Sequence, residues 1–348
     1  MSQDTRYLAE CECDGPILLA LPHAGTDWAD ILPEALEQYC RILKALDTHG
    51  ERTWLLVPDK AWAEEVLSGC ALKRCRLIEM PTNDTWTRDY GPIAVERHDR
   101  LRALDFGFNG WGLKFAADLD NLVNMRMAEH SILPVGLIRN LRSFILEGGS
   151  IETDGQGTLL TTSRCLLSPN RNGGGTRAEI GEVLTRELGV DHILWLDYGA
   201  LIGDDTDSHI DTLCRMAPGN TIIFTGCRDM DDPHFEELLH MRAQLSMFRN
   251  AEGEPFNLLE LPLPDAVVDE EGNRLPATYA NYLVTPRAVY MPVYGQPDKD
   301  ELACQTIRIA FPDLDVVPVD CRTLVKQHGS LHCSTMTLVF PKPKFNEN

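Results

Sequence analysis

The stretch "HIDTLCRMAPGNTIIF" (residues 209–224) decides the fold. Two apolar runs flank the turn sequence Ala-Pro-Gly-Asn and read as an antiparallel strand pair. The helical pattern "DPHFEELLHMRAQLSMF" (232–248) follows, and then a returning apolar strand, "NLLELP" (257–262). This unit of strand pair, helix and returning strand cannot bury its own apolar face. A chain that repeats it must stack the copies.

The unit does repeat. "SFILEGGSIETDGQGTLLTTSRCL" (143–166) gives a strand and a hairpin around "TDGQG", followed by the helix "TRAEIGEVLTREL" (176–188) and the strand "HILWLD" (192–197). "TYANYLVTPRAVYMPV" (278–293), "DKDELACQTIRIAF" (298–311) and "DVVPVD" (315–320) form another copy. Near the start, "PILLALP" (16–22), "LPEALEQYCRILKAL" (32–46), "TWLLVP" (53–58), "KAWAEEVLSG" (60–69) and "CRLIEMP" (75–81) alternate strand and helix. A less regular copy opens with the strand-like "TRDYGPIAV" (87–95). About five copies of 50–60 residues, with no linker rich in Pro, Gly or Ser, predict one α/β domain spanning 1–348. The copies would close around an axis, with strand ends converging on a pocket.

Bulk properties narrow the function classes. The net charge is −21, from 53 acidic and 32 basic residues, and such a surface repels nucleic acid and anionic membrane. It suits a small cationic partner. No apolar run approaches the roughly 20 residues that span a bilayer, and the acidic start "MSQDTRYLAECECDGP" is unlike a secretion signal. The expected location is cytoplasmic. The eleven cysteines are scattered and odd in number, which fits free thiols. "CEC" (11–13), Cys70 and Cys75 lack the spacing of a zinc site, so neither metal nor cofactor is expected. The composition is silent on oligomeric state and compatible with a homo-oligomer.

Several polar groups interrupt the apolar pattern at strand ends. If 209–213 is a strand, His209, Asp211 and Leu213 share a face. "NDTWTRDYGPI" (83–93) offers Trp86, Arg88 and Asp89; "ILEGGS" (145–150) offers Glu147; "YANYL" (279–283) offers Asn281; "HGSLHCSTMTL" (328–338) offers Cys333. Singly, each has a structural explanation: Asp89 as a turn cap, Gly148–Gly149 as a hairpin turn, Cys333 as one more buried thiol. Together they form a set that suits a guanidinium. Its carbon becomes electrophilic when carboxylates hold the cation and a thiolate is aimed at it. His332 is expected to face away from Cys333, as neighbours on a strand do, which leaves His209 as the acid/base and Glu147 as the group that orients and charges it.

The segments "NDTWTRDYGP", "LEGGSIETDGQGTLLTTSRCLLSPNRN", "GDDTDSHID", "YANYL" and "HGSLHC" resemble, in order, the motifs of agmatine deiminases and the related bacterial peptidylarginine deiminases. The matching segments run from residue 81 to about 335. The resemblance implies the five-bladed α/β-propeller (pentein) fold of guanidine-modifying enzymes. It also implies a nucleophile at Cys333, a general acid/base at His209, guanidinium-binding carboxylates at Asp89 and Asp211, an acid beside the histidine at Glu147, and pocket positions at Trp86 and Asn281. One departure stands out. Agmatine deiminases usually read Gly-Gly-Gly-Asn-Ile-His-Cys before the nucleophile, whereas here "KQHGSLHC" puts His328 in place of a glycine and Ser330 in place of the asparagine.

The implied reaction is hydrolysis of a guanidinium to a ureido group plus ammonia, through a thiouronium on Cys333. Agmatine would give N-carbamoylputrescine. Its second cation suits an acidic mouth, for which Asp204, Asp205 and Asp207 are candidates. Free or peptidyl arginine would instead need a base such as Arg88 or Arg171 for its carboxylate. An amidinotransferase or a catalytically silent binding ring of the same fold are the other readings the residues leave open.

Overall fold

The computed structural model describes residues 5–340 apart from 71 and 135. Five small sheets appear among the described residues, each built on one plan. In the fourth repeat, Cys214–Ala217 runs antiparallel to Thr221–Gly226 across the Ala-Pro-Gly-Asn turn. The helix Phe235–Met247 then crosses over, and Asn257–Pro262 returns parallel to Thr221–Gly226, with Thr221 opposite Asn257. The same plan recurs in Ile151–Thr153, Thr158–Thr162 and His192–Leu196, and again in Leu283–Val284, Ala288–Val293 and Asp315–Asp320. The irregular second copy pairs Ile93–Arg97, Arg100–Gly107 and Ile138–Ile145, with Thr5–Tyr7 added antiparallel along the edge.

The remaining sheet joins the two ends of the described chain. Ile17–Ala20 pairs parallel to Thr53–Val57, and that strand to Cys75–Glu79. The antiparallel partner of Ile17–Ala20 is Met336–Thr337, from the far end of the sequence. A β-sheet edge exposes unpaired N–H and C=O groups, and this pairing satisfies them while bringing the segment around Cys333 back to the start of the chain. Gly15 shows how close the approach is: a Cβ there would lie 1.6 Å from the Leu338 carbonyl oxygen.

The crossover helices are amphipathic in the expected way. Leu32–Thr48 buries Ala35, Tyr39, Ile42, Leu43 and Leu46 on one face, with a proline in its first turn. Arg177–Leu188 starts from a Thr176–Glu179 capping box and buries Ile180, Leu184 and Leu188.

Three expectations are corrected here. Residues 209–213 are not a strand: His209 precedes a 3-10 turn, Ile210–Thr212, and the strand begins at Cys214. "TRDYGPIAV" opens as a helical turn, Thr87–Tyr90, before its strand at Ile93. The cysteines are not all thiols, because Cys40 and Cys70 form a disulfide between the first crossover helix and the turn after the second.

Ring closure makes a specific prediction. Gly15→Ala should lower the unfolding free energy by about 2–3 kcal/mol through overpacking. Gly69→Ala, whose Cβ would have no neighbour within 4 Å, serves as the control. Equal chemical-denaturation midpoints for the two variants would contradict the closure described.

Candidate active site

Every repeat delivers its polar residue from the same place, the turn that leads into its first antiparallel strand. Asp89 precedes the strand at Ile93, Glu147 the one at Ile151, and His209 and Asp211 the one at Cys214. Asn281 precedes Leu283, and Cys333 precedes Met336. A turn residue has no ladder partner fixing its side chain across a sheet, so its side chain is free to point along the axis. That is why five sequence-distant motifs meet, although none of these residues lies on a strand face.

Gly149 marks the crossing point. A Cβ on it would lie 2.7 Å from His209 Nδ1, 2.8 Å from Asp89 Oδ1 and 3.0 Å from Asp211 Oδ2. Only the absence of a side chain lets these three groups come together. The Gly149 backbone N–H donates to Asp89 Oδ1 at 2.9 Å, and Trp111 Nε1 donates to Asp89 Oδ2 at 2.9 Å. Asp211 Oδ2 accepts from His332 Nδ1 at 2.7 Å, while Asp211 Oδ1 is buried with no partner. Cys333 Sγ sits 3.8 Å from Asp211 Oδ2. The Asn281 amide donates to that sulfur at 3.1 Å, and its oxygen accepts the Cys333 backbone N–H at 3.2 Å.

The electrostatics follow from this burial. Asp89 has no cationic partner; burial, and next the charge of Asp211, raise it well above the usual carboxylate range. Burial also works against Asp211, yet the hydrogen bond and charge of His332 hold it below that range. Burial pushes the Cys333 thiol well up, and the two aspartates push it further. His209 is fully buried, both its ring nitrogens lack partners, and burial drives it down to about 3. The free site therefore sets a neutral imidazole and a buried thiol beside one carboxyl held high and one held low.

Glu147 does not orient His209 by a hydrogen bond. It is held by Arg171 Nε at 2.9 and 3.0 Å, and Arg171 continues to Asp207 at 2.6 Å. The buried carboxylate needs a cation, and the guanidinium supplies it with two contacts. Arg88 is likewise spent, on Glu10. Neither arginine lines the pocket. Among the described residues, Glu147, Cys165 and His209 form the group whose ligand atoms lie close enough for a metal ion, within 4.8 Å of one another. The Arg171 charge on Glu147 opposes a cation there.

The cavity above Cys333 is about 340 Å³ and is walled by Asp27, Asp84, Trp86, Asp89, Asp204, Asp205, His328 and Gly329, among others. Trp86 forms a wall against Gly329, with Trp28 packed behind it at 5.7 Å between ring centroids. Asp204 and Asp205 face the cavity as expected, but Asp207 is turned away into its pairs with Arg171 and Lys114. His328, where the resembled motif has glycine, holds φ +65° and bonds the Gly203 carbonyl at 2.7 Å. Ser330 bonds the Tyr294 hydroxyl at 2.9 Å and does not line the cavity.

A family model described as Porphyromonas-type peptidyl-arginine deiminase matches residues 6–338. The chain belongs to that family. An agmatine deiminase of Stutzerimonas stutzeri is 32% identical, over 96% of this chain and 95% of its own. A structure of C. jejuni agmatine deiminase, a cysteine-to-serine variant with substrate bound, is 36% identical with a TM-score of 0.88, covering 97% of this chain and 96% of that one. A Porphyromonas gingivalis structure provisionally described as an arginine deiminase is 42% identical with a TM-score of 0.89, covering 96% and 98%. As a member of this deiminase family the chain is a hydrolase of C–N bonds in linear amidines, on the pentein fold of these enzymes. No helix among the described residues is long and apolar enough to cross a membrane.

Sequence reasoning missed Trp111, Glu10 and the part played by His332. Trp111 lies outside the recognised motifs, in a turn where it adopts φ +53°. His332 was assigned to the far side by a strand rule that does not apply in a turn.

The acidic wall carries a pH signature. Burial raises Asp84 to about 7 and Asp205 to about 6. An acid whose folded pKa lies above its unfolded value adds stability at low pH and loses it as pH rises through the folded value. The stability of wild type should therefore fall relative to Asp84→Asn between pH 5 and pH 8. A difference in urea midpoint that is flat, or of opposite sign, would contradict a half-buried Asp84 bonded to Thr85 but left without a counter-ion.

Proposed function

We propose that this enzyme deiminates agmatine to N-carbamoylputrescine and ammonia. The observation that carries the reading is the cavity wall: Asp27, Asp84, Asp204 and Asp205 line it, and no Lys or Arg is among the described residues that do. A second cation at the far end of the substrate is attracted there, and a carboxylate is repelled. The agmatine deiminases among its relatives support the same substrate.

Asp89 and Asp211 hold the guanidinium by paired charge-assisted hydrogen bonds. Its arrival replaces the missing cation at Asp89 and places a positive charge beside Cys333, so the thiol loses its proton when substrate is present. His209, neutral in the free site, is the group to accept that proton. The thiolate attacks the guanidinium carbon, and the C–N bond to an amino group breaks as His209 returns a proton to the leaving ammonia. His209 then takes a proton from water, which attacks the thiouronium carbon and expels the Cys333 sulfur. Asn281 donates to the sulfur throughout, stabilising its anionic form. Glu147 acts through its charge, fixed in place by Arg171.

The 42% identity to the Porphyromonas gingivalis protein favours a second reading, deimination of free or peptidyl arginine. In that case His328 is the lining residue able to meet a carboxylate, through Nε2, since its Nδ1 is engaged with Gly203.

Ammonia release from agmatine, free arginine and a peptide ending in arginine separates the two. Release from agmatine alone, abolished in Cys333→Ser and reduced at least about a thousand-fold in kcat/KM in Asp89→Ala and Asp211→Ala, is expected. Release from an arginine substrate in preference to agmatine would overturn the assignment. Near-normal kcat/KM in both aspartate variants would overturn the clamp.

A further inference from the structure

Beneath the cavity floor lies a second charged cluster that the chemistry above does not use. Its centre is Glu10, in the short 3-10 turn Glu10–Glu12 that follows the edge strand Thr5–Tyr7. Glu10 Oε1 pairs with Arg88 and lies 3.0 Å from His332 Nε2. Glu10 Oε2 accepts from Arg215 Nη2 at 2.9 Å and from the Val284 backbone N–H at 3.2 Å. On the other side of the same imidazole, His332 Nδ1 is 2.7 Å from Asp211 Oδ2.

Both ring nitrogens of His332 thus face carboxylate oxygens. A neutral imidazole carries one N–H, and would turn a lone pair toward one of those oxygens. Two cations already sit on Glu10, which keeps it ionised, and the 2.7 Å contact from Nδ1 to Asp211 has the length of a charge-assisted hydrogen bond. The proton that satisfies both contacts therefore belongs on the ring. The charged groups packed around it are Asp211 and Glu10 in contact, Arg88 and Arg215 beyond Glu10, Glu152 on Arg215 at 2.9 Å, and the neighbouring Cys333.

We propose that His332 is an imidazolium clamped between Asp211 and Glu10, and that this clamp keeps Asp211 ionised and aimed at the guanidinium. His332 and Glu10 are then positioning residues, the second supplied by the N-terminal turn, far in sequence from every recognised motif. The clamp explains an asymmetry of the site. Asp211 has one oxygen fixed by His332 and the other buried without a partner, an acceptor left unsatisfied. Asp89, with no such cation, is held above the usual carboxylate range. It also explains why His332 is not the base for Cys333, since its Nδ1 is committed to Asp211.

The inference rests on the guanidinium-clamp reading for its kinetic consequence, but its spectroscopic test does not need turnover. In 15N-histidine-labelled wild type at pH 7.5, with His332 identified as the signal missing from His332→Asn, both ring nitrogens should carry protons. In Glu10→Gln the ring should be neutral, with its proton on Nδ1. Both variants should lose at least about ten-fold in kcat/KM for agmatine, equivalent to about 1.4 kcal/mol. His332→Asn tests the charge separately, because its amide can still donate to Asp211. A single protonated ring nitrogen in wild type would overturn the clamp, and so would unchanged kcat/KM in both variants. A doubly protonated His332 in an enzyme that does not turn over agmatine would sustain the clamp while the substrate assignment fails.

Discussion

A carboxylate taken out of water must either find a cation or take up a proton, and Asp89 and Asp211 meet that demand in opposite ways within one pocket. Asp211 has an imidazole against one oxygen and is held low; Asp89 has only neutral donors, Trp111 and the Gly149 N–H, and is held high. Most of the site can be read from that contrast. The free enzyme lacks one positive charge at the cavity floor, and the substrate class that fits is the one that brings it. Burial and the same carboxylates hold the Cys333 thiol high, and in the proposed reaction the substrate's charge is what arms it.

The ring serves this constraint. Five copies of one supersecondary unit place five turns around one axis, and each turn contributes the groups that a strand face could not. Closure by Met336–Thr337 on Ile17–Ala20 fixes the Cys333 turn against the Thr87–Tyr90 turn: the Arg88 backbone N–H donates to the Cys333 carbonyl at 3.2 Å. Glu147 is tied to Arg171, which also holds Asp207, so this buried carboxylate does not compete for the substrate's charge.

The fold was legible because its signal is a repeated change of period, from strand to helix and back, and the turn in "APGN" is unambiguous. The motif residues were legible because Asp89, Glu147, His209, Asp211, Asn281 and Cys333 break apolar runs. Their local geometry was not. A short apolar stretch such as "HIDTL" satisfies both strand and turn, and only the position of Cys214 in its ladder shows that the strand starts later. The same confusion around Cys333, whose strand starts only at Met336, sent His332 to the far side. Glu10 carried no signal at all, because an acid in an acidic N-terminal segment looks like surface until Arg88 and Arg215 are brought around it.

The most direct measurement is calorimetry of agmatine binding to Cys333→Ser at pH 6.5, in buffers of differing ionisation enthalpy. The serine variant removes the thiol proton from the balance, which leaves the pocket carboxyls as the source. Net proton release on binding is expected, because a bound cation favours the ionised form of the cavity carboxyls that burial holds high, Asp89, Asp84 and Asp205. Binding with no net proton release would contradict a site in which the substrate supplies the missing charge.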